Sequence, residues 1–233
     1  RGVSSAIAEA IEQLDQQTGP AARRFDHGPA FSGAAAVLPS AYNPPTLAHE
    51  HLLQRALDAY GLHHAVALLT TRNVDKGLHG ASLADRIGML LALSGSWPGL
   101  CVAASNQARI VDQANALNAA FPGVEFDFIV GFDTLERLFA PRYYTDMDAE
   151  LAPFFARHRL LAANRGDVEA HHVEAWVAEN AGTFAGRILL LEIDEFPASL
   201  SSTRVREAAA KGGDGLDLPP AVARYVTEHG LYR

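Results

Sequence analysis

Two short stretches more than 150 residues apart carry residue types suited to handling phosphate. Asn43-Pro44-Pro45-Thr46-Leu47-Ala48-His49 combines a rigid Pro-Pro turn, a Thr able to cap a helix, and a His three residues later, in the first turn of that helix. The first backbone N–H groups of a helix lack intrahelical acceptors and favour anions. Ser201-Ser202-Thr203-Arg204-Val205-Arg206 places hydroxyls and free amides at a second helix start. Arg206 falls on the same side of that helix as Thr203, and its planar fork suits two phosphate oxygens at once; Arg204 faces another side. The pair predicts a triphosphate clamp in which His49, Thr46 and Arg206 carry catalysis and Ser202 and Thr203 donate to the outer phosphates. The plainer alternative for each stretch is a capped helix with a His bonding its own backbone or with a surface Arg.

Such a clamp needs a scaffold that brings both stretches to one edge. Short apolar runs at 34–38, 64–69, 100–104, 126–130, 159–163 and 188–191 read as buried strands, alternating with helical patterns at about 47–60, 83–93 and 108–120. This alternation predicts an α/β fold: a Rossmann-like, doubly wound parallel sheet with helices on both faces, whose ligands sit beyond the carboxyl ends of the strands. The first stretch follows the first strand and the second follows the last. Residues 4–17 carry Ile7, Ala10, Ile11 and Leu14 at helical spacing, closed by Gly19-Pro20. Residues 1–33 are therefore expected to form an N-terminal helical extension, packed for stability, on a single domain over 34–233.

The bulk numbers narrow the function. The chain has 233 residues, 48% of them hydrophobic and 20% charged, so one large α/β core is expected. No apolar run approaches the ~20 residues of a membrane span, and a cytoplasmic protein without a membrane partner is expected. The net charge is −8 and the basic residues do not cluster beyond Arg23-Arg24, which argues against a nucleic-acid surface. Anionic ligands must then be held by local potential at helix starts. The single Cys101 lies in an apolar run and reads as a buried thiol. His63-His64 and His171-His172 are adjacent pairs that cannot project together, so no protein metal site is expected.

The two stretches, in this order and spacing, resemble the signatures of the nucleotidyltransferase superfamily with the HxGH fold, written [TH]-x-G-H and [IL]-S-S-T-x-x-R. Within it the chain is most similar to the nicotinamide/nicotinate mononucleotide adenylyltransferases, which commonly read G-S-F-N-P-P-T-x-G-H at the first site. Here Ser40 replaces the leading Gly, Ala41 the Ser and Ala48 the Gly before His49, while Asn43-Pro44-Pro45-Thr46 is intact. Gly131-Phe132-Asp133 looks like the family's Gly-Ala-Asp at the ATP ribose, and Asn164-Arg165-Gly166 like its Arg-containing turn beside adenine. Lys76-Gly77-Leu78 with Arg86 is similar to the family's Lys loop and Arg helix. Residues 218–232 match its last helix.

The resemblance covers about residues 34–233. It implies adenylyl transfer from ATP to nicotinamide or nicotinate mononucleotide, giving NAD or its deamido precursor plus pyrophosphate. The implied ATP contacts are Ser40, Ala41, Tyr42, His49, Gly131, Asp133, Asn164, Arg165, Ser202, Thr203 and Arg206. The implied mononucleotide contacts are Ser40, Lys76, Trp97, Tyr143 and Tyr144, with Tyr in place of the family's second Trp. Mg²⁺ would be held mainly by phosphates and water. Two alternatives stay open on the sequence: the same fold serving CTP or another phosphate acceptor such as phosphopantetheine, and a regulatory nucleotide-binding domain without turnover. A homo-oligomer is compatible with the sequence.

Overall fold

The computed structural model describes residues 2–72, 80–164, 168–193, 206 and 217–233. Lys76, Arg165, Ser202 and Thr203 lie outside them. The chain order is α1 (Val3–Gln16), β1 (Ala22–Arg24), β2 (Ala34–Ser40), α2 (Leu47–Tyr60), β3 (His64–Thr70), α3 (Leu83–Ser96), β4 (Leu100–Ser105), α4 (Ile110–Ala120), β5 (Glu125–Gly131), α5 (Phe132–Leu138), α6 (Met147–Arg157), β6 (Arg159–Ala163), α7 (Ala170–Asn180), β7 (Ile188–Leu191) and α8 (Pro220–Glu228).

The described strands form one seven-stranded sheet in the order β1-β4-β3-β2-β5-β6-β7. All pairs are parallel except β1 on β4. The sheet is buried on both faces, so its strands read as continuous apolar runs rather than alternating ones. Side-chain alternation nevertheless sorts the core into two. Ala36, Leu38, Ala65, Ala67, Leu69, Val102 and Leu161 point to the face covered by Leu53 and Ala56 of α2, Ile87, Leu90 and Leu93 of α3, Ile7, Ile11 and Leu14 of α1, and Val222 of α8. Ala35, Val37, Val66, Leu68, Phe126, Phe128 and Leu160 point to the face covered by α4, α5, α6 and α7. The doubly wound architecture expected from the alternating pattern is therefore the one observed.

Chain order reverses at β2. The chain runs outward from β2 to β3 and β4, then returns to place β5 on the other side of β2. Pairing of β2 with β5 stops at Val37↔Phe128, although β2 stays paired with β3 as far as Ser40↔Leu69 and β5 with β6 as far as Gly131↔Ala163. Pro39, which has no N–H to give a ladder, sits just past the last β2–β5 pair. The two central strands thus part at their carboxyl ends and open a crevice at the switch point, where open α/β sheets bind ligands.

Residues 2–33 contribute more than a helix. β1 adds an antiparallel edge strand to β4, and α1 packs its Ile7, Ile11 and Leu14 into the α3 face of the core.

Candidate functional site

The loop from β2 to α2 forms one wall of the crevice. Gly61 stops α2 in a left-handed conformation (φ 59°), and Thr46 starts it in extended conformation, 1% exposed. His49 is the third residue of the helix, and its side chain turns back on the cap: Nδ1 lies 2.9 Å from the Thr46 backbone nitrogen. This is the geometry of a capping box, with imidazole in place of the usual Glu or Gln. A backbone N–H can only donate, so Nδ1 is an acceptor. Burial lowers the His49 pKa to about 4, so the ring is neutral and its proton sits on Nε2. That nitrogen lies 3.0 Å from Ser40 Oγ, at the carboxyl end of β2. The aromatic ring of Tyr42 packs on the imidazole, with centroids 4.7 Å apart. His49 is thereby fixed from both sides as an Nε2–H donor aimed at the crevice.

The remainder of the loop is held from a distance. Tyr42 is 1% exposed at φ 48°, a strained conformation for a non-glycine residue, and its hydroxyl donates to the Leu38 carbonyl at 2.5 Å. Asn43 is 6% exposed; its Oδ1 accepts from the Ala81 N–H at 3.1 Å and from the Tyr232 hydroxyl at 2.7 Å. Arg86, 1% exposed on α3, donates from Nε to the Ala81 carbonyl at 2.9 Å and from Nη1 toward the Ala41 carbonyl at 3.5 Å. Arg206 donates from Nη1 to the Asn43 carbonyl. The two stretches that lie far apart in sequence therefore meet, with His49, Thr46, Ser40 and Arg206 around one loop.

The other expected site residues are distributed as follows. Gly131 ends β5 beside the opening, and the exposed Asp133 lies in the first turn of α5. Asn164 follows β6, and its amide is engaged with the chain itself: Oδ1 accepts from the Ile193 N–H at 2.8 Å and Nδ2 faces the Ile193 carbonyl at 3.4 Å. Tyr144 donates its hydroxyl to the Leu138 carbonyl at 2.6 Å and lies under Arg109, the N-cap of α4, so Tyr143 and Tyr144 stand beside the carboxyl end of β4. Tyr143 is 49% exposed. Trp97 is not brought to this edge. α3 runs back against the strand direction, so its C-cap Trp97 sits by the amino ends of β3 and β4, where Gly99 accepts from the Ala65 N–H. There, with Ser96, it borders an open groove of about 540 Å³ along Leu47, Glu50, His51 and Gln54 of α2.

Sequence reasoning assigns no role to the Asn43 side chain, Gly80 or Tyr232. Tyr232 comes close only through the C-terminal fold, so nothing local signals it. Gly80 has a local signal, a Gly just ahead of the Ser82 cap of α3, but its neighbour Asn43 is 37 residues away.

No protein-family model matches the chain. It is 26% identical over 196 residues, covering 82% of this chain and 94% of the relative, to a protein of Neisseria meningitidis serogroup B described as a nicotinate-nucleotide adenylyltransferase. It is 27% identical over 198 residues, covering 83% of this chain and 76% of the relative, to a Schizosaccharomyces pombe protein described as a nicotinamide mononucleotide adenylyltransferase. Over most of its length the chain is thus similar to nicotinate- and nicotinamide-nucleotide adenylyltransferases. Its fold is shared with the nicotinic acid mononucleotide adenylyltransferase of Plasmodium falciparum solved in complex with APC, at a TM-score of 0.63 and 14% identity, covering 85% of this chain and 96% of that one. In this chain the loop carrying Ser40, Ala41 and Ala48 closes on Thr46, and His49 Nδ1 and Nε2 are held by Thr46 and Ser40.

Proposed function

We propose that the chain transfers the adenylyl group of ATP to nicotinate or nicotinamide mononucleotide. A phosphate oxygen of the mononucleotide attacks the α-phosphorus of ATP in line. The bond from that phosphorus to the bridging oxygen breaks, its electron pair goes with the oxygen, and pyrophosphate leaves. The protein contributes alignment and charge stabilisation rather than covalent chemistry. The observation that carries this reading is the meeting of Arg206 with the His49 loop at the mouth of the β2–β5 crevice.

Within that reading, His49 donates from Nε2 to the phosphate oxygens as charge grows on them, exchanging the Ser40 hydroxyl for the ligand. Its neutrality suits a donor that gives up no proton. Thr46 holds both the helix start and the imidazole. Arg206, with Ser202 and Thr203 from the same stretch, faces the β- and γ-phosphates of the leaving group. Gly131 and Asp133 on β5–α5 serve the ribose of ATP. Lys76, Tyr143 and Tyr144 serve the mononucleotide on the β3–β4 side.

Among the described residues no group of three or more His, Cys, Asp or Glu side chains converges on a point. A Mg²⁺ ion would arrive with the triphosphate, held by phosphate oxygens and water, and would neutralise charge there.

The test is pyrophosphate release from ATP with nicotinate mononucleotide, nicotinamide mononucleotide, phosphopantetheine or no acceptor, each repeated with CTP. Release with ATP and a pyridine mononucleotide alone supports the assignment. Equal release without acceptor, or with phosphopantetheine or CTP, overturns it.

A further inference from the structure

Residues 3–24 fold back across the carboxyl ends of β3 and β4, and their contacts there are specific. Asp15, near the end of α1, accepts from Thr71 Oγ1 at 3.0 Å, and its backbone carbonyl accepts from Arg72 Nη2 at 3.3 Å. Arg72 Nε also lies 3.8 Å from the Asp15 carboxylate. Thr71 is fully buried. One strand over, Asn106 is also fully buried, just beyond β4, and every polar atom of its side chain is used. Nδ2 donates to the Gly19 carbonyl at 2.9 Å and the Gln17 carbonyl at 3.3 Å; Oδ1 accepts from the Ala21 N–H at 2.8 Å and from Gln107 Nε2 at 3.0 Å. Its own N–H donates to the Ala21 carbonyl at 3.1 Å. The two strand ends are also tied together, since Thr70 Oγ1 donates to the Gln107 carbonyl at 2.9 Å and the Thr71 N–H to the Ser105 carbonyl at 2.9 Å.

An Asn at the carboxyl end of a parallel strand stands where such folds hold ligands. Here three of its four side-chain hydrogen bonds are made to the N-terminal arm. A merely stabilising extension has no need of such contacts, because the apolar face of α1 already buries Ile11 and Leu14 against the core. Among the described residues, the arm's polar contacts beyond the β1–β4 ladder and those of Arg24 fall on the first residues of the β3–α3 and β4–α4 connections.

We propose that residues 3–24 are a positioning element for the acceptor half of the crevice, acting through Asp15 on Thr71-Arg72 and through Asn106 on the end of β4. This rests on the reading that ATP lies toward β5 and the mononucleotide toward β3 and β4. Fixing the two connections in advance removes ordering that acceptor binding would otherwise have to supply.

The experiment measures KM for each substrate, kcat, melting temperature and hydrogen exchange at residues 70–72 and 105–109 in Asp15→Ala, Asp15→Asn, Thr71→Val and Asp15→Ala/Thr71→Val. Loss of one such hydrogen bond corresponds to about fivefold in mononucleotide KM. Asp15→Ala and Thr71→Val should each show that rise with ATP KM changed less than twofold. The double variant should be no worse than Asp15→Ala, which already removes both the Thr71 bond and the Arg72 contact. Asp15→Asn keeps an acceptor for Thr71 and should restore KM. Exchange at 70–72 and 105–109 should quicken in Asp15→Ala whether or not turnover is followed. A lower melting temperature with mononucleotide KM unchanged, equal shifts in both KM values, or unaltered exchange overturns the proposal. Absence of pyridine adenylyl transfer in the unaltered protein overturns the functional reading instead, and exchange alone then decides the role of the arm.

Discussion

A Cβ placed on Gly80 would fall 2.4 Å from the side-chain amide of Asn43, and Gly80 sits at φ +108°. The loop ahead of α3 and the loop ahead of α2 are thus in backbone-to-side-chain contact, and Asn43 reaches the Ala81 N–H only because nothing projects from residue 80. Gly80→Ala carries both a conformational penalty and a clash, and a loss of about 2–3 kcal/mol is expected. Urea denaturation measures it. Because the displaced Asn43 carries the Arg206 and Tyr232 contacts, turnover should fall more than stability alone accounts for. Full activity in a stably folded Gly80→Ala would show that the Asn43 anchor is dispensable.

His49→Ala removes the Nε2 donor while leaving Thr46 to start the helix. A loss of about 10²–10³ in kcat is expected, with a smaller change in ATP affinity, as for a donor used most in the transition state. With the imidazole pKa lowered to about 4 by burial, the group should impose no pH dependence on kcat between pH 6 and 8. An acid limb near the ordinary His value that vanishes in His49→Gln would mean that the ring is charged during turnover.

Arg206→Lys keeps a charge but loses the planar fork. ATP affinity should drop several-fold while AMP affinity barely changes, because AMP lacks the outer phosphates. Calorimetry with both nucleotides measures this. Equal weakening of the two would place Arg206 in support of the Asn43 loop rather than on the leaving group.

His158 is 2% exposed between β5 and α6, with Nδ1 3.2 Å from the Phe126 carbonyl and Nε2 3.0 Å from the Asn118 amide. Burial lowers its pKa to about 4 from an ordinary 6.5. Between those values the unfolded chain binds a proton that the folded chain refuses, so stability rises with pH through that window and is level above it. The group accounts for up to about 3 kcal/mol of acid sensitivity. Denaturation midpoints of His158→Gln should fall less between pH 6.5 and 4.5 than those of the parent; parallel curves would exclude His158 as a source.

Much of the fold was legible because each parallel strand is buried on both faces and so appears as an uninterrupted apolar run, as at 64–69 and 159–163. The three-residue β1 was not legible: Ala22-Arg23-Arg24 carries no apolar run, and its pairing depends on the β4 edge that receives it. The helices at Met147–Arg157 and Ala170–Asn180 give no clear periodic signal either; Pro153 interrupts the pattern of the first, and the second buries only Val173 and Val177. At the site, Thr46 and His49 are three residues apart, and local helix geometry places both. Trp97 was the opposite case. Its residue type and loop position fit a stacking role, but the direction in which α3 runs decides which edge of the sheet receives it. Asn164 and Asn106 look alike in sequence, each a polar residue just past a strand, and only the tertiary structure shows that both spend their amides on backbone.

The face that α2 covers mixes leucines with several alanines. Ala36, Ala65 and Ala67 of the central strands belong to the same core cluster as Ala56 of the helix, and all four are fully buried. Little room is left at these positions, and His49 rides on that helix. Enlarging Ala36 or Ala67 to Val would cost about 1–3 kcal/mol of overpacking. It would also lift the imidazole relative to the β5 side of the crevice, detuning the reactive geometry from below without altering any residue that a nucleotide touches.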